Sequence, residues 1–202
     1  MLDDVLVQIA GSPWALPLLF LLVAADAFLV VVPGEAAVTA LGALAVSGGR
    51  PPIVGVIAVA AAAAFAGDAA IYALGRFAGV DRWRWMRTAR VRAALDWANR
   101  RLERSMASIV FTARFIPFAR LAVDLTAGAT RVPAARFLTV AGIAATGWAA
   151  YQTFIGAAVA FLVPGGPVVA VVVSVALALA LGAAVDLVLG ARRRARRGDG
   201  TA

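Results

Sequence analysis

Two arginines, a proline and an aspartate interrupt apolar sequence between Thr112 and Gly128, TARFIPFARLAVDLTAG, as Arg114, Pro117, Arg120 and Asp124. A guanidinium presents a planar fork of donors that fits a carboxylate or a phosphate, so two of them close together make an anion site. Each costs roughly 2.5 to 3.5 kcal/mol at the centre of a lone spanning helix, so protein, water or a bound anion must surround them in place of lipid. Six residues separate them, about 240° around a regular helix, which aims them at different faces. Pro117 alters that geometry: it lacks an N–H, clashes with the carbonyl four residues back and turns Ile116 away from helical angles, so a break is expected there. Broken backbone at membrane depth belongs inside protein or beside a wet cavity. Two guanidiniums flanking such a break would converge on one phosphate. In the plainer alternative each merely pairs with a buried acid.

The chain around them has the composition of an integral membrane protein of one domain. Of its 202 residues 63% are hydrophobic, where roughly half is usual for a soluble domain. All 19 basic residues are arginine. Histidine and cysteine are both absent, which removes thiolate nucleophiles, Cys/His zinc sites and the usual proton carrier near neutral pH. Serine-histidine intramembrane proteases and histidine-dependent lipid phosphatases are disfavoured, and no catalytic residue, metal ligand or cofactor is assigned. The net charge of +8 is concentrated in two arginine runs, whose partner is the anionic cytoplasmic face of a membrane rather than nucleic acid.

Hydropathy then gives the order of elements. Met1–Gly11 carries Asp3 and Asp4 and no basic residue, so the apolar run after it is not read as a cleaved signal. Trp14–Val32 is of about membrane length, is interrupted by Asp26 and ends at Pro33-Gly34-Glu35, and Ala36–Val46 is too short to span alone. Ser47–Pro52 is a loop by its breakers. Ile53–Leu74 is long enough to cross, carries Asp68, and ends at Tyr72 and Arg76, read as an interface pair. Asp81–Arg104, with eight arginines interleaved with Trp83, Trp85 and Trp97, reads as a basic amphipathic helix lying on the cytoplasmic face. Phe137–Val163 and residues 168–190 are two further spans about the turn Pro164–Pro167, and 191–202 is a basic tail.

Both arginine runs should be cytoplasmic by the positive-inside rule. The last two spans leave and return, so residues 105–136 must also begin and end inside, as a re-entrant hairpin. An internal echo points the same way: Pro33 precedes Gly67 by 34 residues and Pro117 precedes Gly147 by 30, with Tyr72 and Gly75 matched by Tyr151 and Gly156. The expected fold is therefore all-α with inverted repeats, each a re-entrant hairpin followed by a transmembrane helix, plus a C-terminal transmembrane helix. Repeat one covers about 12–80 and repeat two about 105–163, within one domain of residues 1–190. In such folds the site lies at the midplane between repeats, which sets Asp26 and Glu35 opposite Arg114 and Arg120. The amino terminus is expected outside.

These residues resemble the DedA family of bacterial membrane proteins, whose eukaryotic relatives are the VTT-domain or SNARE-associated Golgi proteins. The resemblance rests on Pro33-Gly34-Glu35 after Asp26, Gly67-Asp68-xxx-Tyr72-xx-Gly75-Arg76, Arg114-Phe115-Ile116-Pro117-xx-Arg120, Ala127-Gly128, Phe137 and Gly147-Trp148, and covers about Trp14 to Gly156. It implies a proton-linked transporter or flippase of lipid phosphates, particularly undecaprenyl phosphate, in the bacterial cytoplasmic membrane. Its functional set becomes Arg114 and Arg120 for the phosphate and Asp26 and Glu35 for proton coupling. Pro33, Gly34, Asp68, Pro117, Asp124, Gly128 and Trp148 support them. Two departures stand out: Asp26 where glutamate is commoner, and Phe118-Ala119 where Gly-Val is frequent, a bulkier break that would narrow the cavity.

On this reading an acid and the lipid phosphate compete for the same arginines, so head-group passage is coupled to protons without breaking a covalent bond. The rivals are energy-independent scrambling of phospholipids, a proton-coupled antiporter of small solutes or ions, and a scaffold with structurally paired arginines. An enzyme ranks last, because acids alone would supply all the proton chemistry. Of the supporting residues, Asp68 is read as a packing partner for an arginine and Asp124 as neutralising Arg120 or capping its helix. Sequence leaves the oligomeric state open between monomer and homodimer.

Overall fold

The computed structural model describes residues 2–29, 34–78, 105–114 and 119–163, with helical positions at 168–169, 171–173, 175–176 and 180. Pro33, Pro117, the arginine run 81–104, the turn 164–167 and the tail 191–202 lie outside the described residues. Every regular element among those described is a helix: α1 (Leu2–Gly11), α2 (Ala15–Asp26), α3 (Gly34–Ser47), α4 (Ile53–Ala78), α5 (residues 105–113), α6 (Ala119–Ala129) and α7 (Ala134–Leu162).

Length separates these helices into two kinds. At about 1.5 Å per residue, α2 and α3 reach only some 18 and 21 Å, short of a bilayer's roughly 30 Å core, so neither crosses alone. Among the described residues Ile53–Phe77 is the one helix both long and apolar enough to cross a membrane. Its exposed positions before Arg76, namely Val54, Ala58, Ala62, Ala66, Ala70 and Leu74, form an apolar stripe at helical spacing. Such a stripe suits lipid and not water. The 29 residues of α7 also have the length to cross, but polar Gln152 and Thr153 lower its hydropathy. Both side chains are buried, where lipid does not meet them.

Packing crosses between the two halves of the chain. The short helix α3 lies against α7, α6 lies against α4, and α2 packs on both α3 and α4. The long helices run antiparallel: Tyr72 near the end of α4 stacks on Phe137 at the start of α7, ring centroids 4.6 Å apart, while mid-helix Gly142 faces the Phe65 ring. One end of the molecule therefore gathers Gly11, Gly48 and Arg50, with Gly48 against Val7 and Gly11 against Arg50. The other end gathers Arg76 and the α6–α7 turn. Tyr72 donates its hydroxyl to the Val132 carbonyl and accepts from Arg76 Nη1 at 2.9 Å, so it is buried against that turn and not placed at a lipid interface as the sequence suggested.

Four glycines set how closely the halves approach. A Cβ on Gly156 would strike the Thr39 carbonyl and come within 2.8 Å of the Ala43 nitrogen, and one on Gly42 would strike the Thr153 carbonyl. A Cβ on Gly128 would strike the Tyr72 carbonyl, and one on Gly75 the Leu125 carbonyl and, at 3.1 Å, the Ala129 nitrogen. In each pair the backbone struck lies three residues before, and where also met one after, the facing glycine, so the α3–α7 and α4–α6 contacts share a single geometry.

Two apolar clusters result. One joins Leu19, Val23, Val38, Val56, Ala60, Ala64, Ala145 and Trp148; the other joins Tyr72, Met106, Val110, Ala127, Val132, Phe137, Ala141 and Ala144.

Candidate functional site

Asp68 sits in the seam between those clusters, one turn beyond Ala64 in the first and one turn before Tyr72 in the second. It lies about 22 Å from one end of α4 and about 15 Å from the other at helical rise, and it is 1% exposed.

Two guanidiniums close on this carboxylate from two different helices. Arg114 follows α5 on the face that buries Met106, Val110 and Ala113, so it is carried inward by the apolar spacing of its own helix. Its Nη2 donates to Asp68 Oδ2 and, at 3.5 Å, to the Ala141 carbonyl. Arg120, in the first turn of α6, donates Nε to Asp68 Oδ1 at 2.6 Å and Nη2 to the Ala64 carbonyl at 3.0 Å. Each oxygen of Asp68 is thus held by its own arginine. Spacing alone aimed the two arginines at different faces and a break at Pro117 was expected to bring them together; they do meet, although the group they share is a carboxylate of the protein and Pro117 lies outside the described residues.

A second acid pair borders Arg120. Asp26 ends α2, its carboxylate accepts the Gly34 N–H that opens α3, and Oδ2 stands 3.8 Å from Arg120 Nη1. Anchoring an acid on the first N–H groups of a helix suits the positive end of its dipole. Glu35, the next residue, is hydrogen-bonded by the Trp148 side chain of α7, which can only donate through its indole N–H. Trp148 is 2% exposed and serves as that acid's anchor.

Asp124 completes the cluster. It lies one turn beyond Arg120 on the face of α6 that also buries Ala127 and Gly128, so it neither caps the helix nor faces lipid. Its carboxyl group is within hydrogen-bonding reach of Asp68. Gly128, one turn further, allows the close approach of α6 to α4 that delivers both Arg120 and Asp124 to Asp68. The motif on α4 thereby resolves into separate tasks: Asp68 in the site, Tyr72 on the turn, Gly75 at the close approach and Arg76 on the Tyr72 hydroxyl.

Four carboxyl groups, Asp26, Glu35, Asp68 and Asp124, surround two guanidiniums. The arginine side chains differ in access: Arg114 and Asp68 are 2% and 1% exposed, whereas Arg120 and Asp26 are 14% and 19% exposed. The cluster is therefore reached from the side where the α2–α3 hairpin meets α6. Within it Arg114 Nε is buried without an acceptor among the described residues, which costs about 1 to 3 kcal/mol if nothing relieves it. Chemically the arrangement is two guanidiniums sharing one carboxylate, that of Asp68.

Sequence reasoning named both arginines, Asp26 and Glu35 as the functional set and Asp68 and Asp124 as supports, and the structure gathers all six. The signal that would have raised Asp68 was its place, ten residues from the end of a 26-residue helix, where an ionised acid in an apolar span must have a cation against it.

The family model described as the VTT domain matches residues 32–158, more than half of the chain. Those residues contain Glu35, Asp68, Arg114, Arg120 and Asp124 and leave Asp26 just outside. Among curated proteins the chain is similar to "Undecaprenyl phosphate transporter A" of Bacillus subtilis (strain 168), with 27% identity over 129 residues. The match covers 62% of this chain and 64% of that protein, so the chain spans under two thirds of its relative's length. No solved structure matches the chain.

Proposed function

Because this chain belongs to the VTT-domain family of membrane proteins, the DedA and SNARE-associated group, we propose that it carries lipid phosphates across a bacterial cytoplasmic membrane, with polyprenyl phosphate as the leading substrate. The observation that carries this reading is the grip of Arg114 and Arg120 on opposite oxygens of one buried carboxylate. A phosphate monoester displacing Asp68 would keep both grips and offer a third oxygen to Arg114 Nε, a donor without a partner among the described residues. The apolar tail needs no pocket, since it stays in the bilayer. The name of the Bacillus subtilis relative, a transporter of undecaprenyl phosphate, supports the same substrate class.

The inverted-repeat reading supports it as well. The α3–α7 and α4–α6 contacts have one geometry, as two copies of a hairpin-plus-helix unit related by an axis in the membrane plane would give, and the site lies where the copies meet. Competition between Asp68 and phosphate for the same guanidiniums is the step at which a proton gradient would act. The competing acid in this geometry is Asp68 first and Asp26 second.

One observation favours a different passenger. A groove of about 780 Å³ between α4 and α7, lined by Ala61, Ala62, Phe65, Leu138, Ile143 and Gly147 among others, opens outward and would suit the tails of ordinary phospholipids, as energy-independent scrambling requires. Proteoliposomes carrying the full chain separate the readings. Labelled polyprenyl phosphate, a phospholipid and a soluble anion are compared with and without a pH step. Selective, gradient-responsive movement of polyprenyl phosphate, lost in Arg114→Ala with insertion intact, is expected. Equal movement of all lipids without response to pH would establish scrambling, and movement of the soluble anion alone would establish an antiporter.

A further inference from the structure

Asp124 and Asp68 present a charge problem that the arginines do not solve. Asp124 is 2% exposed and Asp68 1%. Their carboxyl groups lie within hydrogen-bonding reach of each other, while Oδ2 of Asp124 is buried with no donor reaching it among the described residues. Two ionised carboxylates are acceptors only and repel; a hydrogen bond between them exists when one carries hydrogen. The charged groups facing the pair are Arg114 beyond α5 and Arg120 on α6; Asp26 from α2 and Glu35 from α3 border Arg120, and α7 gives the Ala141 carbonyl to Arg114. Both guanidiniums already point at Asp68, so the group left to carry hydrogen is Asp124.

We propose that Asp68 and Asp124 are the site's proton-binding pair, holding one proton between them while Asp68 occupies the guanidiniums and taking up a second when an anion displaces it. In the first state the O–H of Asp124 donates to the Asp68 carboxylate. Once a phosphate takes Arg114 and Arg120, Asp68 is left in a dry seam without a cation, and a proton arriving from the part-exposed Asp26 side forms an O–H bond on it. Anion and proton then bind together, and the added negative charge is offset by the proton. Asp26 and Glu35 become the route by which that proton arrives, not its resting place. The role in coupling rests on the lipid-phosphate reading; the presence of the resting proton does not.

Infrared spectroscopy on the full chain in lipid nanodiscs reads the proton directly, through the carbonyl stretch of a protonated carboxyl group. A band that shifts on labelling aspartate with 13C, and not glutamate, is expected in the unmodified protein. Asp124→Asn, whose amide can still donate to Asp68, should remove it, while Asp26→Asn should leave it in place. Absence of the band, its shift with labelled glutamate, or its loss in Asp26→Asn alone would overturn the pair. In the flux assay the ratio of polyprenyl phosphate movement with and without a pH step is expected to fall about tenfold or more in Asp124→Asn; an unchanged ratio overturns the coupling role. If the unmodified protein moves no lipid phosphate, the functional reading fails and the infrared result still decides the proton.

Discussion

A guanidinium fork and an ammonium are not equivalent around Asp68. Arg120 uses Nε for the carboxylate and Nη2 for the Ala64 carbonyl, a division of donors that a lysine cannot reproduce from a single nitrogen. Arg120→Lys is therefore expected to lower polyprenyl phosphate flux by about tenfold or more with insertion unaffected, checked by proteoliposome flux against protein recovered in the membrane. Asp68→Ala asks a stability question. It leaves Arg114, whose side chain is 2% exposed, without its counter-ion, a change that costs about 3 to 5 kcal/mol in dry interiors. A lipid phosphate bound in place of the lost carboxylate should restore much of that, about 2.7 kcal/mol at a hundredfold excess over Kd. Thermal unfolding in detergent with and without polyprenyl phosphate tests this: the mutant should gain more from the ligand than the native chain does, and an equal gain would count against an anion seat at Asp68. At this scale the arginines were legible because a charge in apolar sequence demands company, but the identity of that company was not. Asp68 was read as a packing partner for an arginine, but which arginine, and that both share it, depends on which helix faces which.

Helices of this chain are held apart by backbone where other proteins interpose side chains. Gly128 and Gly156 each face a carbonyl of the neighbouring helix with no space for a Cβ, so alanine there must push α6 off α4 or α3 off α7. Gly142 differs, since its Cβ would meet only the Phe65 ring at 3.7 Å, an ordinary contact. Gly128→Ala and Gly156→Ala are expected to lose about 1 to 3 kcal/mol or more and Gly142→Ala almost nothing, measured as midpoint shifts in detergent. The α6–α7 turn offers the opposite effect. Arg131 takes φ 56° at the C′ position of α6, with Arg131 N donating to Gly128 O and Val132 N to Ala127 O, the paired bonds of a Schellman ending in which glycine is usual. Arg131→Gly should raise stability by about 1 kcal/mol by removing the left-handed penalty. The short α3 and the long α4 were readable from hydropathy, whereas Trp14–Val32 read as one run of about membrane length and α2 ends inside it at Asp26; the break expected at Pro117 lies outside the described residues. The pairing of α3 with α7 and of α4 with α6 was not readable, because a glycine in a membrane helix announces a close approach without naming the partner.

At the scale of the molecule, the charges that face outward say how the chain sits in its bilayer. The two ends of α4 are about 38 Å apart at helical rise, more than the roughly 30 Å of a hydrocarbon core, so they lie on opposite faces. Arg50 is the exposed arginine of one end, near Gly11. Arg76, Arg131 and Arg136 are exposed at the other, and the arginine run 81–104 follows directly from it. The positive-inside rule therefore predicts a cytoplasmic Arg76 end, and with it a cytoplasmic turn where Tyr72 is fastened. On that orientation α2 and α3 would enter from outside and α5 and α6 from the cytoplasm, each too short to cross alone. The chain contains no cysteine, so single cysteines report side without background. Gly48→Cys should react with a membrane-impermeant maleimide added outside intact cells, and Thr130→Cys only after the membrane is opened. Labelling of both from one side would mean that the two hairpins share a face, which no inverted arrangement permits. It would also leave the guanidiniums of α5 and α6 open to a single compartment, with no second face for a lipid phosphate to be delivered to.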